Sequence, residues 1–402
     1  MTRYSVEDLT AAVDQRAAAD QSVVLRYRHA LCFADLGADA GRFRDLQEHT
    51  SIAEGLRIFA LGTYHGVQID ILDETSLMHT RTIKSIDGCV SIAHCLLRDY
   101  RSVVFESGGN TGVALTDYAA RAGLTTHCFV PAHNLPVLEG GVFEAPDAHL
   151  IAVEDPRDVK GSAREFATLH HLPLVPQVGW RFHASMFVGC FLVEQLTGGP
   201  GYDYLAQTIS AAFGPIGIYR ILFEHVARVG RLPRFLGVQQ EQNCAMVRAW
   251  RAAFGEGAPA TTAASTAPLL ARVAFDREPH THGTSDDLHT LLRASGGDLV
   301  TVNHSEFERA LQCGIGAPDL LRGLAAHGVT IATADGAVLE KTGLLGLAGT
   351  LKEIDSGRIV PGARVLVCLT GGTALPQRPA VPDSYIRRPR APQGGAVGAP
   401  ST

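Results

Sequence analysis

The chain has no closely paired cysteines, no basic stripe and no long apolar run. Its eight cysteines form no CxxC pair, so we expect reduced, buried thiols and no metal site. The net charge of −6 and the pI near 6.3 argue against nucleic-acid and anionic-membrane partners. No apolar stretch approaches the length of a membrane span, and the amino terminus lacks a signal-peptide pattern. These absences predict a cytoplasmic protein that acts on small molecules.

Lysine is also scarce, with four lysines against 31 arginines. Lys84 stands out because it lies upstream of the glycine-rich segment 107–112, Ser-Gly-Gly-Asn-Thr-Gly. An amine attacks an aldehyde only when it is deprotonated, and apolar surroundings favour that state. The apolar run 88–93 is expected to supply such surroundings. The order of amine, strand, glycine turn and helix predicts a cofactor held as a Schiff base.

The alternation of short β-branched runs with helical patterns over residues 67–213 predicts βαβ units and a largely parallel sheet. A second set follows, with a predicted strand at 208–213, a turn into a helix, and further strands up to 364–369. The Ala-, Thr-, Gly- and Pro-rich stretch 255–267 predicts a long loop. The composition of the carboxyl-terminal residues 379–402 predicts a disordered tail.

Four segments together resemble the fold-type II pyridoxal-phosphate enzymes, and most closely the threonine synthase and cysteate synthase group. They are the Lys84 segment, the 107–112 turn, the turn Phe-Gly-Pro-Ile-Gly-Ile at 213–218 and Thr-Gly-Gly-Thr at 370–373. The resemblance implies an α/β, two-domain, tryptophan synthase β-like fold, each domain a mostly parallel sheet flanked by helices. It places a larger cofactor domain at 1–83 and 200–378, and a smaller mobile substrate domain at 84–199.

The resemblance also implies the cofactor, pyridoxal 5'-phosphate, and a role for each matching residue. Lys84 is expected to form the Schiff base and then to move the substrate's α-proton. The expected cofactor-binding residues are Lys84, Asn110, Gly214, Ile216, Gly217, Ile218 and Thr370. The expected substrate-binding residues are Arg81, Ser107, Gly108, Gly109, Thr111 and Arg181, the two arginines for an anionic tail. The chain departs from the family pattern at Arg81, where glycine is common, and at Ser85 and Gly108.

The activity implied is elimination and replacement on a phosphorylated amino acid. Cysteate-synthase-like chemistry is the narrower expectation, with O-phosphoserine and sulfite giving cysteate and phosphate. Threonine synthase acting on O-phosphohomoserine and an amino-acid dehydratase stay open, as does a regulatory homologue that binds the cofactor or an amino acid without turnover. The expected partners are the amino-acid substrate, a small nucleophile and a second copy of the chain in a homodimer.

Overall fold

The computed structural model describes residues 4–6, 9–33, 35–254, 268–274, 282–373 and 379–387. The strands in chain order are β1 (Tyr4–Val6), β2 (Leu31–Phe33), β3 (Arg57–Tyr64), β4 (Val67–Asp73), β5 (Ser102–Glu106), β6 (Thr125–Pro131), β7 (Ala148–Val153), β8 (Tyr204–Thr208), β9 (Arg234–Gln240), β10 (Asp298–Val302), β11 (Thr333–Ala334), β12 (Ala337–Val338), β13 (Arg364–Leu369) and β14 (Ser384–Ile386). The helices are α1 (Leu9–Ala12), α2 (Val23–Tyr27), α3 (Ala40–Thr50), α4 (Lys84–Leu97), α5 (Asn110–Arg121), α6 (Val159–Leu169), α7 (Val178–Leu196), α8 (Phe213–Glu224), α9 (Val226–Val229), α10 (Ala245–Phe254), α11 (Ser285–Ser295), α12 (His304–Gln312), α13 (Leu320–Ala326) and α14 (Thr342–Asp355).

The larger sheet has six strands in the order β10-β9-β8-β13-β4-β3. All pairings are parallel except that of β3 with β4. The central strand β13 is apolar from Val365 to Leu369 and is buried there, as expected for a parallel strand covered on both faces. Leu369 pairs with Asp73, so the carboxyl ends of β13 and β4 meet at one edge of the sheet. Ligands bind at this edge in parallel α/β sheets.

The smaller sheet has four parallel strands in the order β14-β7-β6-β5. Helix α6 packs on β5 and β6, and α4 packs on α5. Helix α4 also packs against α7, which in turn packs against α8. These helices connect the region of the smaller sheet with that of the larger one. Within the described ranges, no helix combines the length and apolar character required to cross a membrane.

The observed α/β architecture with parallel-rich sheets and flanking helices confirms the predicted fold class. The prediction of a strand at 208–213 is wrong. Strand β8 ends at Thr208, and the chain then forms a loop before α8. The predicted loop at 255–267 lies outside the described residues. The domain bounds and the mobility of the smaller domain stay predictions.

The prediction that the tail is disordered from residue 379 is wrong for the first part of the tail. Residues 384–386 form β14, which pairs with β7 in the smaller sheet. Asp383 explains this docking, because its amide donates to the carbonyl of Leu150 at 2.8 Å and its Oδ2 accepts from the amide of Leu150 at 2.9 Å. Composition alone does not reveal such a long-range pairing. Residues 388–402 lie outside the described residues.

Candidate active site

One cavity brings together residues from all four segments singled out in the sequence. Its wall includes Lys84, Ser107, Gly108, Gly109, Asn110, Thr111, Arg181, Gly214 and Thr370. These residues follow strands or begin helices, which explains how segments far apart in sequence meet. Thr370 follows β13, Ser107 follows β5, and Lys84 begins α4. The amide of Ile83 donates to the carbonyl of Thr370 at 3.1 Å and so fixes the start of α4 against the end of β13.

The amine of Lys84 has a carboxylate partner. Its Nζ donates to Oδ2 of Asp87, one turn further along α4, at 2.7 Å. The Lys84 side chain is 33% exposed and that of Asp87 is 10% exposed. The apolar surroundings expected from the sequence are present along α4, because residues 88–93 are all buried. The immediate neighbour of the amine, however, is not apolar: it is the carboxylate of Asp87.

The 107–112 turn leads into the amino terminus of α5. Ser107 lies at its start, and the Ser107 Oγ accepts hydrogen bonds from the amides of Gly109 at 3.0 Å and Gly112 at 2.7 Å. Gly109 has a φ of 158°, and a Cβ there would lie 2.7 Å from Cγ1 of Val273. The carbonyl of Gly108 accepts from Nδ2 of Asn134, which is fully buried, at 2.5 Å. The turn is therefore held in one conformation, with the start of α5 facing the cavity.

Asn110 and Thr370 line the same cavity. Asn110 is the first residue of α5, and Thr370 is 7% exposed. The Nδ2 atom of Asn110 lies 3.8 Å from the place that a Cβ would take on Gly371, the residue after Thr370. The structure thus places two of the predicted cofactor-binding residues in the same cavity.

The segment 213–218 contributes its first part to the cavity and its second part to the core. Gly214 lines the cavity, and a Cβ there would lie 2.9 Å from Nε2 of Gln207. Ile216, Gly217 and Ile218 are not among the lining residues. The amide of Ile216 already donates to the carbonyl of Ala212 at 3.2 Å.

The last two residues of this segment support the loop from behind. A Cβ on Gly217 would lie 2.7 Å from the carbonyl oxygen of Phe182 in α7, and Ile218 is 1% exposed. Ile216, Gly217 and Ile218 thus pack the helix behind the cavity wall, and their role in cofactor binding stays a prediction. The loop residues Ser210, Ala211, Ala212 and Phe213 line the cavity with Gly214.

The two predicted anion-binding arginines have different surroundings. Arg181 lines the cavity, and its guanidinium carbon lies 5.1 Å from the ring centroid of Phe213. Arg81 is not a lining residue: it is exposed and its Nη1 donates to the carbonyl of Ser76 at 2.7 Å. Arg81 has a φ of 58°, in the left-handed region, which explains why glycine suits this position. The structure therefore does not support Arg81 as a substrate contact.

Sequence reasoning missed several cavity residues. They include Asp87, Glu106, Ser185, Gln207, Thr208, Ser210 and Thr342. It also missed Glu340, whose Oε1 accepts from the amide of Thr342 at 2.6 Å, while burial raises the pKa of this carboxyl. The signal in the sequence is Gly343, which follows Glu340 closely. A Cβ on Gly343 would lie 2.1 Å from the carbonyl oxygen of Gly371. The glycine allows α14 to begin directly against the 370–373 turn.

The arrangement is that of a small-molecule enzyme of the α/β class, with an amine, a glycine turn and a helix terminus around one cavity. A family model described as "Pyridoxal-phosphate dependent enzyme" matches residues 56–313. The chain belongs to this family, and the sequence prediction of the family and of the cofactor is confirmed.

Named relatives refine the comparison. The chain is 25% identical over 307 residues to a cysteate synthase of Methanosphaerula palustris, covering 73% of this chain and 67% of that protein. It is 24% identical over 319 residues to a threonine synthase of Mycobacterium bovis, covering 75% and 78%. It shares the fold of threonine deaminase isoform 2 from Solanum lycopersicum, with a TM-score of 0.58 at 13% identity, covering 84% and 86%.

The cavity residues fit pyridoxal phosphate. Lys84 offers a primary amine at the wall, and Gly214 leaves space where a side chain would stand. Oε1 of Gln207 is a buried cavity atom without a hydrogen-bond partner among the described residues. When bound, the cofactor supplies an electron sink for bonds at the substrate's α-carbon. The protein residues supply binding, orientation and proton movement.

Proposed function

We propose that the protein catalyses elimination and replacement on a phosphorylated amino acid, with Lys84 as the Schiff-base residue. The narrower proposal is that O-phosphoserine and sulfite give cysteate and phosphate. The observation that carries it is the single cavity shared by Lys84, the 107–111 turn, Arg181 and Thr370. The name of the cysteate synthase relative supports this choice of substrate and nucleophile.

Each proposed role follows from the position of the residue. Nζ of Lys84 holds the cofactor aldehyde and, once free, carries the substrate's α-proton. The amides of the 107–111 turn face the cavity at the start of α5, where a carboxylate is favoured. Asn110 and Thr370 orient the cofactor ring.

The cofactor's phosphate is proposed to bind the loop 210–214. Helix α8 begins there, and the first amides of a helix have no partner within it. Pro215 has no amide hydrogen, so Phe213 and Gly214 are the donors of this turn.

Arg181 is the proposed partner of the substrate's distal phosphate. No ion pair joins it to a carboxylate among the described residues, although acidic side chains line the same cavity. Its guanidinium carbon lies 5.1 Å from the ring centroid of Phe213, and this contact restricts the side chain. A guanidinium fork suits phosphate or sulfonate oxygens. The proposed group that Arg181 selects is therefore an anionic tail.

Threonine synthase chemistry is the second candidate. The similarity to a threonine synthase over 78% of that protein's length favours it. In that case the substrate is O-phosphohomoserine and water is the nucleophile. The two candidates share Lys84 and the glycine turn, and they differ in the distance from the α-carbon to the phosphate. A homodimer and a cytoplasmic location remain part of the proposal, with light scattering and fractionation as their tests.

The test starts with borohydride reduction of the protein carrying pyridoxal phosphate, followed by peptide mass spectrometry. A pyridoxyl group is expected on Lys84 and is expected to be absent in Lys84→Ala. Phosphate release is then measured with O-phosphoserine and O-phosphohomoserine, each with sulfite, sulfide or water competing. Cysteate as the main product supports the proposal, threonine supports the second candidate, and bound cofactor without phosphate release contradicts both.

A further inference from the structure

The strongest unassigned feature of the cavity is the pair formed by Lys84 and Asp87. The two residues are separated by three positions at the start of α4, so their side chains lie on one face of the helix. Oδ2 of Asp87 is 2.7 Å from Nζ of Lys84, and both residues line the cavity. Asp87 as a residue is only 7% exposed. The carboxylate of this pair is therefore largely shielded from solvent, whereas the lysine side chain is 33% exposed.

The fold explains why a carboxylate is stable at this position. Asp87 lies in the first turn of α4, where the helix terminus favours negative charge. Glu106, Arg181 and His282 also line the cavity, and the buried Glu74 interacts with the charge of Lys84. Of these groups, Asp87 is the one that the structure places in hydrogen-bond contact with the amine.

We propose that Asp87 is the positioning residue and counter-ion of Lys84 during proton transfer. This inference rests on the proposed function of Lys84. The step breaks a C–H bond of the substrate: the proton passes to Nζ, and the electron pair is left on the cofactor-linked substrate. Nζ thereby becomes a full cation, and Oδ2 neutralises that cation without any movement of the helix. The same contact directs Nζ toward the cavity when it is not bonded to the cofactor.

The experiment compares the wild type with Asp87→Asn, which keeps the shape and removes the charge, and with Asp87→Glu, which keeps the charge. Asp117→Asn is the matched control, because Asp117 is a half-buried carboxylate paired with His79 and is not a cavity-lining residue. Each protein is loaded with pyridoxal phosphate. Its visible absorbance is recorded at one pH, and kcat and KM are measured for phosphate release from O-phosphoserine, all on the unreduced protein. A separate portion is reduced with borohydride for the labelling of Lys84.

For Asp87→Asn we expect kcat to fall about tenfold to hundredfold with KM within about twofold, because the lost charge stabilises Nζ as it gains the proton. The visible Schiff-base band is expected to fall to about half or less, because a carboxylate favours the protonated imine. Asp87→Glu is expected to recover most of both signals, and Asp117→Asn to match the wild type.

Two outcomes overturn the inference: an Asp87→Asn protein with the wild-type spectrum and kcat, or equal losses in Asp117→Asn. Should Asp87→Asn not fold, Asp87→Ser is the second neutral variant and is judged by the same criteria. Labelling of Lys84 separates the two proposals. A labelled Lys84 with an unaffected Asp87→Asn contradicts only the role of Asp87, whereas an unlabelled wild-type Lys84 contradicts the proposed function itself.

Discussion

Gly217 of α8 packs directly against Ser185 of α7: a Cβ on Gly217 would lie 2.6 Å from Cβ of Ser185. Ser185 lines the cavity, whereas Gly217 does not. The absence of a side chain at Gly217 therefore fixes how closely α8, and the loop 210–214 before it, approach the cavity wall.

The first prediction concerns the contact between α7 and α8 at Gly217. Gly217→Ala is expected to reduce the free energy of unfolding by about 1–3 kcal/mol, because the backbones of α7 and α8 must separate. Gly161 in α6 is the control, since a Cβ there meets no atom within 4 Å. Gly161→Ala is expected to stabilise the protein by about 0.5–1 kcal/mol. Urea unfolding measures both, and a stabilising Gly217→Ala would contradict the packing role.

The second prediction concerns Arg181. Arg181→Ala is expected to raise KM for O-phosphoserine about tenfold to hundredfold, because a charge-assisted bidentate contact is lost. Arg181→Lys keeps the charge and is expected to show a smaller increase. O-acetylserine, whose ester tail is uncharged in the intact substrate, is the control substrate, and its KM is expected to be unchanged. An equal rise in KM for both substrates would show that Arg181 supports the cavity and does not select the anionic tail.

The third prediction concerns Glu74, a fully buried carboxyl whose two oxygens have no hydrogen-bond partner among the described residues. Burial raises the pKa of Glu74 to about 8, against the opposing charge of Lys84 and with a further contribution from Asp73. The folded state therefore holds this proton more tightly than the unfolded state. The stability that Glu74 contributes is fully present at low pH and is lost as the pH rises toward 8.

Glu74→Gln tests the predicted fall in stability with rising pH. Between about pH 5 and about pH 8 the wild type is expected to lose on the order of 3 kcal/mol more than the variant, because only the wild type has to release a proton at this site. Thermal unfolding at several pH values measures the difference. Parallel pH profiles for the two proteins would show that Glu74 is already ionised in the fold.

The fourth prediction concerns the carboxyl-terminal strand. Asp383→Ala removes the acceptor of the Leu150 amide, which lies 2.9 Å from the Asp383 carboxylate. The expected cost is about 1 kcal/mol, together with faster hydrogen exchange of the Leu150 amide. Ser384→Ala is the control, because Ser384 is an exposed residue of the same strand. Unchanged exchange at Leu150 would show that β14 docks through its backbone pairing alone.

Local patterns in the sequence indicated the fold class and the order of the site segments, although not every element: the strand predicted at 208–213 and the disorder predicted from residue 379 were wrong. The alternation of strands and helices predicted the parallel sheets, because apolar period and turn chemistry act over a few residues. The roles expected for Lys84, the glycine turn and Thr370 came from the resemblance of their short motifs to a known family, since each motif is contiguous in the chain.

The tertiary structure alone decided which neighbours these residues have. Arg181 reaches the cavity and Arg81 does not, because α7 crosses α8 at Gly217 while Arg81 lies in an exposed left-handed turn. The carboxyl-terminal strand joins the smaller sheet through Asp383, far along the chain from its partner β7. Such contacts join segments far apart in the chain, so they depend on helix crossings and sheet edges that no short sequence window contains.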